Sequence, residues 1–401
     1  MFSKFILALF LFLLGLRPFV SSMAFPDADI FYSFVFVLIS LLFLLKNVQP
    51  LQKNAILSSA TLFFVMALLS VVFSKNRIVS VSEFYKYATY FFCFFAVAHF
   101  HPNEKKLLLK TLWVSSTLVS FYALRYLLTE LLDTMTYLKR SHDILQVFGV
   151  EYLSRGRAFF PFPTPTALAG YLILLIPLSF FFLFKNKPKE ETQSWRSLSL
   201  TNILALLAAI GISLALFSTQ SLGALLSLGA ALGTWFFLQR NHAKKHTIFL
   251  ALIPFTITVF LVFYLRRMNS LFFNQISFSY INRLIYWKHA FHNILIHPWT
   301  GFGLGNYPPF KSISPHNSYL QLWVEMGIFG LIAFLALAYR TIQTSFLRTK
   351  KTPSPLFSCL WIGSLAFLVH NLLDFTFFYP EISLQWWAIT ALLLNQRAED
   401  V

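Results

Sequence analysis

Along nearly the whole chain, unbroken apolar runs alternate with short polar connections. Many of these runs approach the roughly 17–25 residues needed to cross the hydrocarbon core of a bilayer. A window of about 20 residues places about twelve of them: Phe5–Val20, Ile30–Leu45, Ala55–Phe73, Phe84–Phe100, Leu107–Leu128, Pro165–Phe184, Leu198–Phe217, Leu222–Leu238, Ile248–Leu265, Ser318–Tyr339, Leu356–Leu373 and Ile382–Leu394. A membrane β-barrel would show short alternating strands instead. The pattern therefore predicts an all-α membrane protein, a single polytopic domain over residues 1–401.

The polar connections set the orientation. Lys46 and Lys53; Lys105, Lys106 and Lys110; Lys185, Lys187, Lys189 and Arg196; Arg240, Lys244 and Lys245; and Arg340, Arg348, Lys350 and Lys351 fall on one side. The positive-inside rule makes that side cytoplasmic, with both termini. The opposite side receives two long loops, 129–164 and 266–317. These carry Arg155, Arg157, Arg266, Arg267, Arg283 and Lys288 where positive charge is normally avoided.

Composition agrees. The chain is 57% hydrophobic and 12% charged, with mean hydropathy +0.66, whereas about a quarter of an ordinary soluble domain is charged. A net charge of +17 could suggest nucleic acid, but it is spread through short clusters between apolar runs and forms no compact basic domain. Cys93 and Cys359 lie inside apolar runs and read as core residues. Met1–Ser22 could pass for a signal peptide; with so many runs following, it reads as a retained first helix. Gly229-xxx-Gly233 has the spacing of close helix packing.

Reactive groups gather in the loops. Arg155 and Arg157 precede Thr164-Pro165, a good helix start; each is either an interfacial arginine or a fixed guanidinium for phosphate. Ser279–His297 reads as an amphipathic interfacial helix bearing Arg283 near its start. Gly301-Phe-Gly303-Leu-Gly305 is a weak nucleotide fingerprint and a better tight turn. His316 and Asn317 stand at the start of the next run, where Asn317 or Ser318 can cap and Ser318 with Gln321 has capping-box spacing. His316 is either structural or a proton acceptor for a hydroxyl. Glu325 lies about two turns into the same run, an ionisable group within the membrane. His370 and Asp374, four apart, would share a helix face. Asp27 and Asp29 cap a helix or, less favourably, hold a divalent cation.

These motifs together resemble the O-antigen ligase family, which shares its domain with O-antigen polymerases and with pilin oligosaccharyltransferases. The resemblance rests on Arg157 with the following Pro-Thr-Ala-Leu-Ala-Gly-Tyr-Leu; Asn282-Arg283-Leu with Trp287; His297-Pro298 followed by Gly301-Phe-Gly303-Leu-Gly305-Asn306-Tyr307; His316-Asn317-Ser-Tyr-Leu with Glu325-Met-Gly327; and His370 to Asp374. It covers roughly Arg157 to Leu394. Where the family often has Ser-Arg-Gly, this chain has Ser221-Leu222-Gly223, so no role for that arginine is carried over.

The resemblance implies a fold related to other lipid-linked glycosyltransferases (GT-C-like) in the bacterial inner membrane. It implies transfer of a glycan from undecaprenyl pyrophosphate to a hydroxyl at the periplasmic face, the acceptor of a ligase being the lipid A core. It implies no nucleotide or other cofactor and no required metal. Arg157, Arg283 and His316 become the catalytic candidates, with Arg155, Asn317, Glu325, His370 and Asp374 as substrate-binding or orienting candidates. A polymerase of lipid-linked repeats and a protein O-oligosaccharyltransferase remain open. A transporter or flippase would line midplane spans with charge and break paired helices, which these apolar spans do not suggest.

Overall fold

The computed structural model describes residues 2–47, 51, 54–129, 156–185, 200–238, 257–264, 275–309, 314–351 and 355–394. Arg155, Arg266, Arg267 and most of the run Ile248–Leu265 lie outside the described residues. Among those described there are helices and turns and no strand. In chain order the helices are α1 (Phe2–Leu16), α2 (Pro26–Asn47), α3 (Ala55–Val72), α4 (Arg77–Ala98), α5 (Pro102–Thr129), α6 (Pro165–Lys185), α7 (Leu200–Ser218), α8 (Leu222–Leu238), α9 (residues 257–264), α10 (Gln275–Ile296), α11 (Ser318–Lys351), α12 (Pro355–His370) and α13 (Pro380–Leu392).

Six of these, α2, α3, α5, α6, α7 and α11, are long and apolar enough to cross a membrane; α8 and α12 are apolar but shorter. The chain is a multi-pass helical membrane protein. It packs as two compact units, Met1–Thr111 with Phe272–Pro353 and Leu368–Val401, and Leu112–Leu271 with Ser354–Phe367. The apolar pattern gives no hint of this subdivision.

In the first unit α3 lies along α11, α2 along α4, and α4 along α13. Aromatic residues fill the space between them. The Trp387 ring lies 5.8 Å from Phe63, 5.3 Å from Phe64 and 5.9 Å from Phe94. Every residue of α13 is buried. At 13 residues it is only about 20 Å long, short of the roughly 30 Å hydrocarbon core, and it forms a core helix surrounded by protein. The apolar pattern alone places a membrane span over Ile382–Leu394 and does not tell a lipid-facing helix from a buried one.

The first unit also buries an ion cluster. Arg17, in the turn after α1, pairs with Asp29 of α2, and its guanidinium lies 3.7 Å from Glu381 of α13. Tyr85 of α4 donates its hydroxyl to the other oxygen of Asp29. Asp29 is thereby hydrogen-bonded through both oxygens, while Glu381 meets the same guanidinium at charge-contact distance and accepts the Ser22 N–H at 3.4 Å.

In the second unit α6 packs on α7 and α8. Thr164 caps α6, accepting from the Ala167 N–H at 3.1 Å, with Pro165 at the first helical position as expected. The close approach expected at Gly229-xxx-Gly233 is not made at Gly233, where a Cβ would meet nothing within 4 Å. Gly363 instead lies against the Leu174 carbonyl, which a Cβ would overlap.

Candidate functional site

The start of α11 is built by Asn317. Its side-chain oxygen accepts from the N–H groups of Tyr319 (3.0 Å) and Leu320 (3.1 Å), so Asn317 rather than Ser318 supplies the cap. Ser318 turns the other way: its hydroxyl donates to Asn371 Oδ1 at 2.6 Å and its N–H to the Asn371 carbonyl at 2.9 Å. The segment before α11 is thereby fixed to the turn after α12.

His316 enters this junction with φ +49°, a left-handed conformation that costs a non-glycine residue about 1–3 kcal/mol. Its ring is held on three sides. Tyr286 of α10 stacks on it with centroids 5.8 Å apart, Phe375 meets it edge-on at 5.1 Å, and its Nδ1 lies 3.9 Å from Asp374 Oδ1. About a third of the imidazole remains exposed.

Asp374 is buried, and its Oδ1 accepts the Phe375 N–H at 2.8 Å. Burial alone would push its carboxyl up. The facing His316, His370 and Arg283 outweigh that and hold it well below the usual carboxylate range. α12 ends at His370, so Asp374 lies in the turn beyond rather than one turn along the same helix, as its spacing suggested. Arg283, His316, His370 and Asp374 thus share one neighbourhood, assembled from α10, the start of α11 and the end of α12.

The glycine-rich segment has a definite task. At Gly327 (φ +69°) α11 is interrupted, so Ile328 N–H turns from the helix to the Pro298 carbonyl at 3.0 Å. The carbonyls of Val324 and Glu325 accept instead from Phe302 (2.8 Å) and Gly303 (2.9 Å). Residues 298–303 therefore replace the missing helical bonds, which a membrane interior demands. A Cβ on Gly301 or Gly327 would overlap this backbone.

Glu325, 1% exposed, sits beside the break. Gln321 Nε2 donates to one of its oxygens at 2.9 Å and the Gly305 N–H to the other at 3.0 Å. Both Glu325 and Gln321 line a cavity of about 340 Å³, together with Glu83, Lys86, Tyr307 and Phe375. Phe375 connects the cavity wall to His316.

α10 docks through Ala290 and Ile294, which pack with Phe302, Leu320 and Val324. Much of its predicted apolar stripe faces away from the protein: Phe291 is 50% and Leu295 78% exposed. Asn293 of the same helix is buried.

Arg157 belongs to the second unit. It is buried there, its Nε donating to the Thr219 carbonyl at 2.9 Å, on the turn leading into Ser221-Leu222-Gly223. Asp29 is occupied by Arg17 and Tyr85, while Asp27 is exposed in the first turn of α2. Among the described residues no group of three or more His, Cys, Asp or Glu could hold a metal ion.

Sequence reasoning overlooked Glu83 and Lys86, whose three-residue spacing forms an ion pair at 2.7 Å. An ionisable pair at the polar end of an apolar run was the available signal.

Residues 206–335 match the sequence model of the O-antigen ligase family, so the resemblance drawn from the motifs is shown. That interval contains Arg283, His316, Asn317 and Glu325, and leaves Arg157, His370 and Asp374 outside. The chain is also similar to a protein of Rickettsia conorii named "Putative polysaccharide ligase", 25% identical over 345 residues that cover 78% of this chain and 73% of that one.

Proposed function

We propose that this chain is an O-antigen ligase that transfers a glycan from undecaprenyl pyrophosphate to a hydroxyl of the lipid A core. The observation that carries this reading is the buried Asp374 carboxyl lying 3.9 Å behind a partly exposed His316, with the Arg283 charge acting on the same carboxylate. His316 accepts the proton of the acceptor hydroxyl, a step worth about 10²–10⁴ in rate. The hydroxyl oxygen then bonds to the sugar carbon as the bond from that carbon to the diphosphate oxygen breaks. One direct displacement inverts the carbon. Arg283 stabilises the charge that remains on the departing diphosphate, and Arg157 is the second candidate for such a donor, each being worth about 10²–10³ in rate. Asp374 keeps the imidazole oriented and balances its charge once protonated.

In this reading the protein crosses the bacterial inner membrane repeatedly, with both termini cytoplasmic and the site periplasmic in a GT-C-like scaffold. No metal or nucleotide takes part.

The test replaces Arg157, Arg283 and His316 singly with Ala and measures glycan transfer at matched membrane levels. Near-normal transfer by all three ends the assignment. The lipopolysaccharide of a deletion strain separates a ligase from a polymerase. Ligase loss leaves bare core while carrier-linked polymer accumulates; polymerase loss leaves core bearing a single unit.

A further inference from the structure

The cavity beside Glu325 has a chemistry unlike that of the arginines. Its cation, Lys86, is already engaged: the ammonium lies 2.7 and 2.8 Å from the two oxygens of Glu83. Glu325 adds a further carboxyl to the lining. No surplus of positive charge is left to hold a diphosphate. Gln321 presents the complementary clue. It is 7% exposed, and its Oε1 is buried with no hydrogen-bond partner among the described residues. A buried acceptor of this kind calls for an O–H or N–H donor. The lining also includes Phe375 and Phe378, aromatic side chains suited to an apolar ring face. The volume of about 340 Å³ matches the small end of ligand sites, which run from about 300 to 1,000 Å³.

The geometry points to a subsite for one neutral sugar ring, whose hydroxyls donate to Gln321 and Glu325 while its C–H face rests on Phe375 and Phe378. Phe375 touches both the cavity and His316, so a ring seated here places a neighbouring hydroxyl or glycosidic carbon toward the imidazole. The inference deepens the glycan-transfer reading and rests on it: the diphosphate belongs with the arginines, and a sugar ring with this pocket.

The test uses the full-length protein in lipid nanodiscs and saturation-transfer NMR. The probes are glucose, galactose and N-acetylglucosamine, with inorganic pyrophosphate as the anionic control. At least one neutral sugar receives saturation from the unmodified protein. Gln321→Leu weakens that binding about tenfold, and Phe378→Ala about two- to tenfold. Neither changes the pyrophosphate response. Silence from all three sugars overturns the subsite without any variant, as does unaltered sugar binding in Phe378→Ala or in a folded Gln321→Leu. Displacement of the sugar by pyrophosphate also overturns it. Sugar binding that persists while His316→Ala leaves transfer intact would keep the subsite and sink the catalytic reading, so the two fail separately. In a transfer assay, a higher KM for acceptor alone in Gln321→Leu assigns the ring to the acceptor, and for donor alone to the donor. An unchanged KM for both rejects the subsite.

Discussion

His316 Nδ1 and Asp374 Oδ1 stand 3.9 Å apart, a separation fixed by Ser318, which ties the approach to α11 to the turn that holds Asp374. This distance is a charge contact rather than a hydrogen bond. It strengthens as the imidazole gains a proton, so the pair favours the protonated imidazole that the proposed general base would become.

Asp374→Asn keeps the shape and removes the charge. Glycan transfer should fall by about 10-fold or more, within the span of one general-base contribution, while the protein remains in the membrane at normal levels. The carboxyl is held below its unfolded value, so the stabilisation it provides is present above that value, about 3.9, and is lost as pH falls through the depressed folded value. Melting curves of the parent and Asp374→Asn should therefore differ above that unfolded value and converge in strong acid. A constant gap down to the lowest accessible pH would contradict the assignment.

Gly327→Ala should be among the most damaging single changes in α11. The backbone there is left-handed (φ +69°), and a Cβ would overlap the Trp299 carbonyl. Strain and displacement of the docked loop together should cost on the order of 3 kcal/mol. The check is the melting temperature in detergent, compared with Gly233→Ala, whose site is open.

Arg17→Met strands Asp29 and Glu381 inside the protein. Loss of one partner of a buried ion pair costs about 3–5 kcal/mol. Combining it with Asp29→Asn and Glu381→Gln should restore most of that loss, since the cluster then carries no charge. If magnesium raises the melting temperature of the parent protein and EDTA lowers it, Asp29 is a metal ligand and this account of it fails.

Asn317→Ala removes the cap of α11 and should cost about 1 kcal/mol, with reduced transfer because His316 is its neighbour. Asn317→Asp retains the accepting oxygen and should preserve both stability and transfer. Lost transfer with preserved stability in the aspartate variant would instead assign the Asn317 amide to substrate.

Much of this was legible in the chain because the relevant signals are local. Thr164-Pro165 reads as a helix start from two adjacent residues, and His316-Asn317 stands where a polar loop meets an apolar run. What escaped detection depends on contacts between distant segments. Arg17 finds Glu381 from the opposite end of the sequence. Asp374 lies beyond its helix because the apolar run of α12 continues past the last helical residue. Hydropathy averaged over about 20 residues also cannot register a single left-handed glycine, so the interruption of α11 went unseen and Gly301-Phe-Gly303 read as a mere turn. Glu83 and Lys86 were hidden for a related reason, and Gln321 read only as a capping-box partner: each alone is an ordinary polar residue near a helix end, and only packing between distant helices brings them to a common space.

The seam at Gly327 also limits how the enzyme can move. Residues 298–303 complete the hydrogen-bond ladder of a membrane-crossing helix, so lifting them away would take the Phe302 and Gly303 donors from the Val324 and Glu325 carbonyls and leave Glu325 with Ser70 alone. This stretch is a rivet and not a swinging door. Any opening that admits the proposed glycan donor must be hung on some other hinge.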